Sequence, residues 1–382
     1  MPSISSEPFS VAKARDIVRD LFEHRPALYW ADFLCSLTIG YGAASIYLSA
    51  PWFSSLQIVS FLVAGFALFR VGSFIHEIVH MPGRQMRSFK IAWNVLAGIP
   101  MLMPSFFYLN HIDHHSPKHY GTGQDGEYLP LGNGPMRDLL YFFLQVLLLP
   151  VAMFLRFAIV TPISFCSPRV RQWALERFSS FVINLKYRHE IPRNAPRRVW
   201  AAMEAACCLR AWLIPLGVVL GVTTWDRMPA LYLLAVLTLG LNYLRNIVAH
   251  RYESDGRPMS HVEQLTDSIN FDGTPIITEL FFPLYLRYHA LHHLLPTLPY
   301  HNLKRAHQRL MNELPPNSAY HQAHYPGFWH LLRGVVTHAL AASRGGSHRR
   351  AADEWYRRRE ELFAQQRQHD QGVEQRPQRH AA

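Results

Sequence analysis

Cysteine and charge are both scarce in this chain. Only four of the 382 residues are cysteine and none forms a C-x-x-C pair, which excludes a disulfide framework and a zinc ribbon. Charged residues make up 17% of the chain, against about 25% in a soluble domain. Residues 1–29 lack the continuous apolar core of a cleaved secretory signal. This composition favours a membrane protein whose cysteines face a reducing compartment.

Soluble cofactor modules are also missing. The sequence contains no Gly-rich phosphate loop before a helix and no haem-binding His-Pro-Gly-Gly segment. The net charge is +11, but the basic residues lie mainly in short loops and in the C-terminal tail. That distribution is typical of membrane topology, so nucleic acid is not expected as a partner.

Long apolar runs occur in two pairs, each divided by a short turn. The first pair has no charged residue from Phe33 to Phe69 and is interrupted by Pro51, and the second is divided at Asp226. About 20 apolar residues span a bilayer. The sequence therefore predicts two transmembrane hairpins with four spans, at about 30–50, 52–75, 205–225 and 229–249.

Basic residues predict the orientation of these hairpins. They concentrate in residues 1–29 and in the loops 70–90 and 168–200, whereas the two hairpin turns contain only Arg227. Loops rich in Lys and Arg face the cytoplasm. We therefore expect both chain termini to be cytoplasmic.

Three regions follow from this pattern. Residues 1–29 carry apolar side chains at helical spacing opposite basic ones, which predicts a cytosolic amphipathic segment. Residues 30–342 form the membrane domain. Residues 343–382 are basic and rich in Gln, His and Ala, and we expect this tail to be partly disordered.

Histidine is abundant, with 22 residues, and nine of them fall into four short boxes. The boxes are His76-Glu-Ile-Val-His80, His111-Ile-Asp-His114-His115, Asn246-Ile-Val-Ala-His250 and His289-Ala-Leu-His292-His293. Residues four apart on a helix share a face, so His76 and His80 can meet one metal ion. In H-x-x-H-H the spacing predicts that the first two histidines share a face and that the third reaches a neighbouring ion. Two such boxes suit a two-metal site, and neutral imidazole suits zinc, copper, iron or nickel.

Two other classes of protein compete with this interpretation. H-E-x-x-H is also the zinc-protease signature, with Glu77 as general base, but an intramembrane protease leaves seven boxed histidines unexplained. A metal transporter should place its ligands within the spans, whereas these boxes lie just beyond their ends.

Taken together, the four boxes resemble those of the membrane fatty acid desaturase family, which are integral di-iron oxygenases. The segment Tyr120–Tyr128 after the second box and the segment His292–His307 after the fourth also resemble the family. The similarity covers roughly residues 30–315. By position, the resemblance implies Asn246 as the holder of a metal-bound water and nine histidines as metal ligands: His76, His80, His111, His114, His115, His250, His289, His292 and His293.

The resemblance also decides between alternatives for two ambiguous segments. Residues 91–110 and 139–168 are apolar but interrupted by prolines, and the second contains Arg156. All boxes must meet on one side of the membrane, so both segments should be interfacial or re-entrant. The expected fold is an all-α integral membrane protein with four transmembrane helices in two hairpins and a cytosolic helical cap that holds the di-iron site.

The function implied is an O2-dependent desaturase that introduces a double bond into a fatty acyl chain or acyl lipid, with two iron ions. A di-iron hydroxylase or acetylenase of a lipid is the alternative. Electrons should come from a separate carrier of the ferredoxin, rubredoxin or cytochrome b5 type, and the expected location is a bacterial inner membrane. Carboxylates that orient ligating imidazoles are also expected, and the candidates are Asp113, Glu263, Asp267 and Asp272.

Asn246 provides a test of the third box. We expect Asn246→Ala to lose most activity while keeping much of its iron, because an amide that holds water is the weakest member of the set. His250→Ala should lose both iron and activity. Product formation and iron content, measured side by side, separate the two roles. Near-normal turnover in Asn246→Ala would instead identify a helix cap, whose loss costs about 1 kcal/mol of stability.

Overall fold

The computed structural model describes residues 9–374 and is mostly helical. Residues 1–8 and 375–382, which belong to the predicted amphipathic segment and to the predicted tail, lie outside the described residues. Five helices are long and apolar enough to cross a membrane. They are Pro26–Ser49 (α2), Ser55–His80 (α3), Met136–Cys166, Arg197–Val219 (α9) and Arg227–Asn246 (α10). The chain is therefore an integral membrane protein by the length and composition of its helices.

The first hairpin joins α2 to α3 through a turn at Pro51. Ser54 begins α3 as its N-cap, since its hydroxyl accepts a hydrogen bond from the Gln57 backbone N–H. α10, which belongs to the second predicted hairpin, packs against the first hairpin where it crosses α3. A Cβ atom on Gly65 would lie 2.3 Å from Cδ2 of Leu237, so glycine at this point lets the two helices approach closely.

The outward faces of these helices carry large exposed apolar side chains. Such a surface is unusual for a monomer in water and matches a helix bundle that contacts lipid. Examples are Ile39 and Ile46 on α2, Ile58 and Leu62 on α3, and Leu209 and Leu216 on α9.

The fifth candidate span, Met136–Cys166, is an irregular helix. It consists of Met136–Leu155 (α6), a π-helical turn at Arg156–Val160 and Thr161–Cys166 (α7), with Pro150 inside α6. Near its start, Phe142 packs on Tyr243 with ring centroids 4.6 Å apart. Leu147 then approaches the other end of α10, where its carbonyl accepts a hydrogen bond from the Tyr232 hydroxyl at 3.0 Å.

Arg156 brings this segment back towards the first part of α9. It is fully buried and pairs with Glu204. Its remaining N–H groups donate to the Phe178 carbonyl, the Thr161 hydroxyl and the Ser179 hydroxyl at 2.7–2.8 Å. A buried ion pair with every donor satisfied anchors the end of this segment beside the start of α9.

Residues 91–110 form several short elements, all within the described part of the chain. Arg87–Trp93 (α4) leads into a π-helical turn at Asn94–Gly98, and a 3₁₀ helix at Ser105–Tyr108 precedes Asn110–His114 (α5). Asn94 joins the two turns, since its amide nitrogen donates to the Ser105 hydroxyl at 2.9 Å. None of these elements is long enough to span a bilayer.

A cap of shorter helices covers the end of the bundle where α3 and α10 terminate. The cap contains one small parallel sheet among the described residues. Its two strands, of two residues each, are Asn270–Phe271 (β1) and His324–Tyr325 (β2). The other cap helices, together with Pro168–Arg177 (α8) before α9, are Val11–Ile17 (α1), His261–Asp267 (α11), Pro275–Phe281 (α12), His289–Leu294 (α13), Tyr300–Glu313 (α14), Ala319–Gln322 (α15), Phe328–Ser343 (α16) and Ser347–Glu374 (α17).

Both ends of the described chain pack on this cap. Ala14 and Val18 in the N-terminal segment are fully buried, and Asp20 pairs with Arg309 of α14. In the predicted tail, α17 continues to Glu374 and buries Trp355, whose indole N–H donates to the Gly121 carbonyl at 2.8 Å. These contacts tie the terminal segments to the part of the structure that contains the histidine boxes.

Candidate metal centre

All four histidine boxes meet under the cap. The first lies at the end of α3, the second covers α5, the third ends just after α10, and the fourth forms the start of α13. Their ring nitrogens divide into two groups of four, and within each group the nitrogens lie within 4.8 Å of one another. Cluster one is His76, His80, His111 and His292, and cluster two is His114, His250, His289 and His293.

In cluster two, the Nε2 atoms point at one another. Nε2 of His250 lies 2.9 Å from Nε2 of His289 and 3.2 Å from Nε2 of His114, and the Nε2 atoms of His289 and His293 are 3.2 Å apart. Two nitrogens bonded to one ion at about 2.1 Å, with a right angle between the bonds, lie about 3.0 Å apart. The spacing therefore fits ligands of a single metal ion.

His115, the ninth histidine, lies between the clusters. Its Nε2 atom is 3.1 Å from Nε2 of His111 and 3.0 Å from Nε2 of His292, both in cluster one. Its ring also stacks on His293 of cluster two, with centroids 4.1 Å apart. Cluster one thus has five imidazoles within reach and cluster two has four.

The predicted division of each H-x-x-H-H box differs from the one observed. We expected the first two histidines to share an ion, but His289 and His293 meet in cluster two while His292 belongs to cluster one. Similarly, His111 faces His115, whereas His114 joins cluster two. Four residues turn an α-helix by about 400°, so the first and third histidines are closer to eclipsed than the first and second.

Burial keeps most of these imidazoles neutral. It lowers the pKa of His115, His250 and His293 well below the ordinary value, and repulsion from neighbouring imidazoles lowers each pKa further. Neutral imidazole is the form that binds a metal ion. Several buried ring nitrogens also have no hydrogen-bond partner, namely both nitrogens of His76, Nε2 of His80 and Nδ1 of His115, His289 and His293. Buried polar atoms without partners are costly, so the unpartnered nitrogens of His76 and His80 in cluster one and the converging Nε2 atoms of cluster two fit bound metal ions.

Two carboxylates orient the second box. Nδ1–H of His114 donates to Asp125 at 2.8 Å, and Nδ1–H of His111 donates to Glu127 at 3.0 Å. Burial alone would lower the pKa of His114, but the Asp125 carboxylate raises it above the ordinary value. Both carboxylates were missed among the sequence candidates, although they lie in Tyr120–Tyr128, the segment whose resemblance to the family was recognised.

His250 is held through a tyrosine. Its Nδ1 atom lies 2.8 Å from the Tyr120 hydroxyl, which donates to Asp267 at 2.7 Å, so that the tyrosine oxygen accepts from the imidazole. Tyr128 also donates to Asp267, at 3.0 Å. Burial raises the pKa of Asp267 to about 6. Of the four carboxylates proposed from the sequence, Asp267 therefore reaches a boxed histidine, although indirectly.

The other three candidates lie away from the imidazoles of the clusters. Asp113 accepts a hydrogen bond from the Tyr187 hydroxyl at 2.9 Å. Glu263 completes a capping box at the start of α11 and pairs with Arg257, and Asp272 is exposed beside His324. Among the described residues, none of these three carboxylates hydrogen-bonds to a boxed imidazole, because chain proximity to a box does not determine which way a side chain points.

Glu77 faces away from both clusters. Its carboxylate accepts from the Tyr29 hydroxyl at 2.5 Å and from the Tyr300 backbone N–H at 3.2 Å. Glu77 lies one residue, or about 100° of helix rotation, from His76. A zinc protease needs this carboxylate beside its metal-bound water, and the observed orientation does not provide that.

Asn246 is the last residue of α10 and lines a cavity together with His76. Its side-chain oxygen accepts a hydrogen bond from Arg245 at 2.5 Å. No hydrogen bond to a clustered imidazole is present among the described residues, so its role in holding a metal-bound water stays a prediction.

The cavity has a volume of about 910 Å³ and extends from the metal centre into the bundle. Its lining includes residues from Arg227 to Asn246, the whole length of α10, which is about 30 Å by helix rise. Most of the lining is apolar, and it includes Leu68 and Gly72 of α3 and Met103. Such a shape accepts a long, flexible apolar chain.

The chain is similar in sequence to known proteins over the part that contains this site. The family model described as fatty acid desaturase matches residues 50–325. A ceramide hydroxylase from Caulobacter vibrioides (strain NA1000 / CB15N) is 37% identical over 338 residues, covering 87% of this chain and 94% of the relative. Both matches include all four boxes.

The hydrogen bonds to Asp125 and Glu127 lead to a prediction. We expect Asp125→Asn and Glu127→Gln each to weaken metal binding about 10–100-fold, because each amide no longer fixes the tautomer and orientation of its imidazole. Metal content after dialysis against graded chelator concentrations measures the effect.

Asp272→Asn and Glu263→Gln are the matched controls, since they make the same chemical changes outside the site. We expect both to retain two metal ions per chain. Equal metal loss in all four variants would mean that the carboxylates act through general stability.

Proposed function

The chain belongs to the fatty acid desaturase family, and from that premise we propose that it is a di-iron enzyme that uses O2 to hydroxylate a hydrocarbon chain of a ceramide-like lipid. The observation that carries the proposal is the pair of buried histidine clusters at one end of a long apolar cavity. A lipid chain in the cavity passes directly beside His76 of cluster one.

We propose iron as the metal. Clusters built almost only of imidazole suit iron, zinc, copper or nickel, but the proposed oxidation needs ions that change oxidation state, which zinc does not do. Bound there, two irons supply the reduction of O2 and the removal of hydrogen from an unactivated C–H bond. The protein binds the chain, excludes water and fixes which carbon is nearest the clusters.

The protein has few groups for acid–base chemistry at this place. Asp125 and Glu127 accept hydrogen bonds from ligand histidines, and Asp267 is occupied by two tyrosines. These carboxylates hold protons on Nδ1 atoms or on tyrosine oxygens, which keeps each imidazole in the tautomer that presents Nε2 to the metal. The residues thus position ligands and leave the oxidation to the metals.

Hydroxylation and desaturation both begin with hydrogen removal from a methylene, so the two histidine clusters alone do not distinguish these reactions. Desaturation is the leading interpretation of the sequence, with acetylenation and hydroxylation as alternatives. The ceramide hydroxylase that shares 37% of aligned residues over most of both chains supports hydroxylation. We therefore propose hydroxylation of a ceramide-like substrate, with electrons from a separate carrier of the ferredoxin, rubredoxin or cytochrome b5 type.

We also propose four membrane crossings, with both termini and the metal centre in the bacterial cytoplasm. The segment Met136–Cys166 supports this count because it contacts the site-side part of α10 through Phe142 and the first part of α9 through Arg156. A helix that crossed the bilayer would contact opposite ends of these two spans. A fifth crossing would also put His114 and His250 on opposite sides, yet their Nε2 atoms are 3.2 Å apart.

Lipid analysis tests the proposed reaction. We expect cells that produce ceramides and express the protein to accumulate ceramides with one added oxygen, derived from isotopically labelled O2. Cells expressing His293→Ala should lack this product at equal protein level, since a ligand of cluster two is gone. Mass spectrometry of extracted lipids measures both. Ceramides that lose two hydrogens without gaining oxygen would establish desaturation instead.

Cysteine labelling tests the topology. In a background with all four native cysteines replaced by serine, we introduce Phe53→Cys, Trp225→Cys and Leu185→Cys, at side chains that are 84%, 66% and 73% exposed. A membrane-impermeant maleimide should label positions 53 and 225 on intact spheroplasts, and position 185 only after permeabilisation. Labelling of position 185 from outside would show that Met136–Cys166 crosses the membrane.

A further inference from the structure

Arg245 is a buried cation without an anionic partner. It lies next to the last residue of α10 and is only 5% exposed. Its Nε and Nη2 atoms donate to the Asn242 side-chain oxygen at 3.3 and 3.1 Å, and Nη2 also donates to Asn246. Nη1 has no hydrogen-bond partner, and Arg245 forms no ion pair within residues 9–374.

Arg156 is a buried arginine whose contacts give it a structural role, and it provides a comparison for Arg245. Every nitrogen of Arg156 donates to a protein oxygen, and Glu204 balances its charge. Arg245 is similarly enclosed, but its Nη1 has no hydrogen-bond partner and no carboxylate forms an ion pair with it among the described residues, Glu127 acting on its charge only from a distance. A buried cation left in this state is costly, and an ionisable side chain at the end of a membrane helix that faces a cavity indicates a ligand site.

The surroundings of Arg245 offer hydrogen-bond donors. Arg245, Asn242 and Asn246 all line the cavity at its metal end. Arg245 fills both lone pairs of the Asn242 oxygen and one of the two on the Asn246 oxygen, so the two asparagines offer mainly N–H groups. Glu127 also lines this end, but it already accepts from His111, Tyr108 and Asn110. A ligand group at this place must therefore supply an oxygen that accepts hydrogen bonds.

The open geometry suits one oxygen better than a carboxylate. Arginine binds a carboxylate through two parallel N–H groups on two nitrogens. Asn242 and Asn246 already occupy Nε and Nη2 of Arg245, so only Nη1 remains. A single carbonyl oxygen matches one open nitrogen flanked by amide N–H groups.

We infer that Arg245, together with Asn242, binds the amide carbonyl of an N-acyl lipid and so selects ceramide-like substrates. This inference rests on the proposed function and names the part of the substrate that is recognised. It also places the amide close to the metals, because Arg245 lines the same cavity as His76 of cluster one and lies five residues before His250 of cluster two. The carbons that flank the amide are then nearest the clusters, and the chains extend along the apolar cavity.

Equilibrium binding without turnover tests the inference. Full-length, iron-loaded protein in detergent, without reductant, is titrated with a ceramide and with an alkene isostere in which an uncharged C=C unit replaces the amide. We expect the wild-type protein to bind the ceramide about 10–100-fold more tightly than the isostere, because the isostere cannot accept the hydrogen bond from the charged guanidinium. Arg245→Met should remove this preference by weakening ceramide binding alone, and Arg245→Lys should restore part of it.

Controls separate recognition from folding. Arg84→Met makes the same change at an exposed position and should bind both lipids like wild type. Iron content of Arg245→Met should remain at two per chain. Equal weakening for both lipids would show a structural role for Arg245, and an unchanged preference would overturn the inference. Tighter, Arg245-dependent binding of a free fatty acid would assign the site to a carboxylate instead.

The outcome does not depend on which product is formed. If the enzyme desaturates ceramide, the proposed hydroxylation fails while the loss of preference in Arg245→Met still supports amide recognition. If wild type hydroxylates ceramide but shows no preference over the isostere, the proposed function holds and the inference about Arg245 fails. Fragmentation of the product gives a second reading, because an oxygen near the chain end would contradict the placement of the amide beside the clusters.

Discussion

Nine imidazoles share one buried site, and each of them needs partners for its ring nitrogens. Metal ions can satisfy the nitrogens that converge in the two clusters, and fixed acceptors can satisfy the nitrogens on the other side of the rings. Asp125, Glu127 and Tyr120 provide the acceptors for three of the rings. The positions of α3, α5, α10 and α13, and the loop that carries these acceptors, all follow from this requirement.

The sequence predicted much of this arrangement because its signals are local. Spacing within a box and length of an apolar run depend on residues close together in the chain, and the five long helices include the four predicted spans. The sequence predicted that His289 would share an ion with His292, but His289 lies with His293 in cluster two. A difference of one residue in spacing decides which two rings point the same way from the helix. Predicting this pairing would have required the rotation of α13 about its axis relative to α3, α5 and α10.

Side-chain partners across loops were not predictable in this way. Asp113 and Asp125 are both acids near the second box, yet one accepts from Tyr187 and the other from His114. Their difference arises from the turn that brings residues 120–128 back over α5, which no periodic pattern encodes. The unpaired guanidinium of Arg245 was likewise hidden, because a single arginine in an apolar run is indistinguishable from one that snorkels to the surface.

The contact between Trp355 and the Gly121 carbonyl has a consequence for how the protein matures. Gly121 lies in the loop that carries Asp125 and Glu127, and Trp355 belongs to α17, which follows all four boxes along the chain. During synthesis, the spans and all four boxes therefore leave the ribosome before the residue that supports this loop is available. The loop reaches its final packing only after Trp355 has been made, so metal uptake should follow the synthesis of α17, and a chain truncated before Trp355 should yield a membrane-inserted but poorly metallated protein.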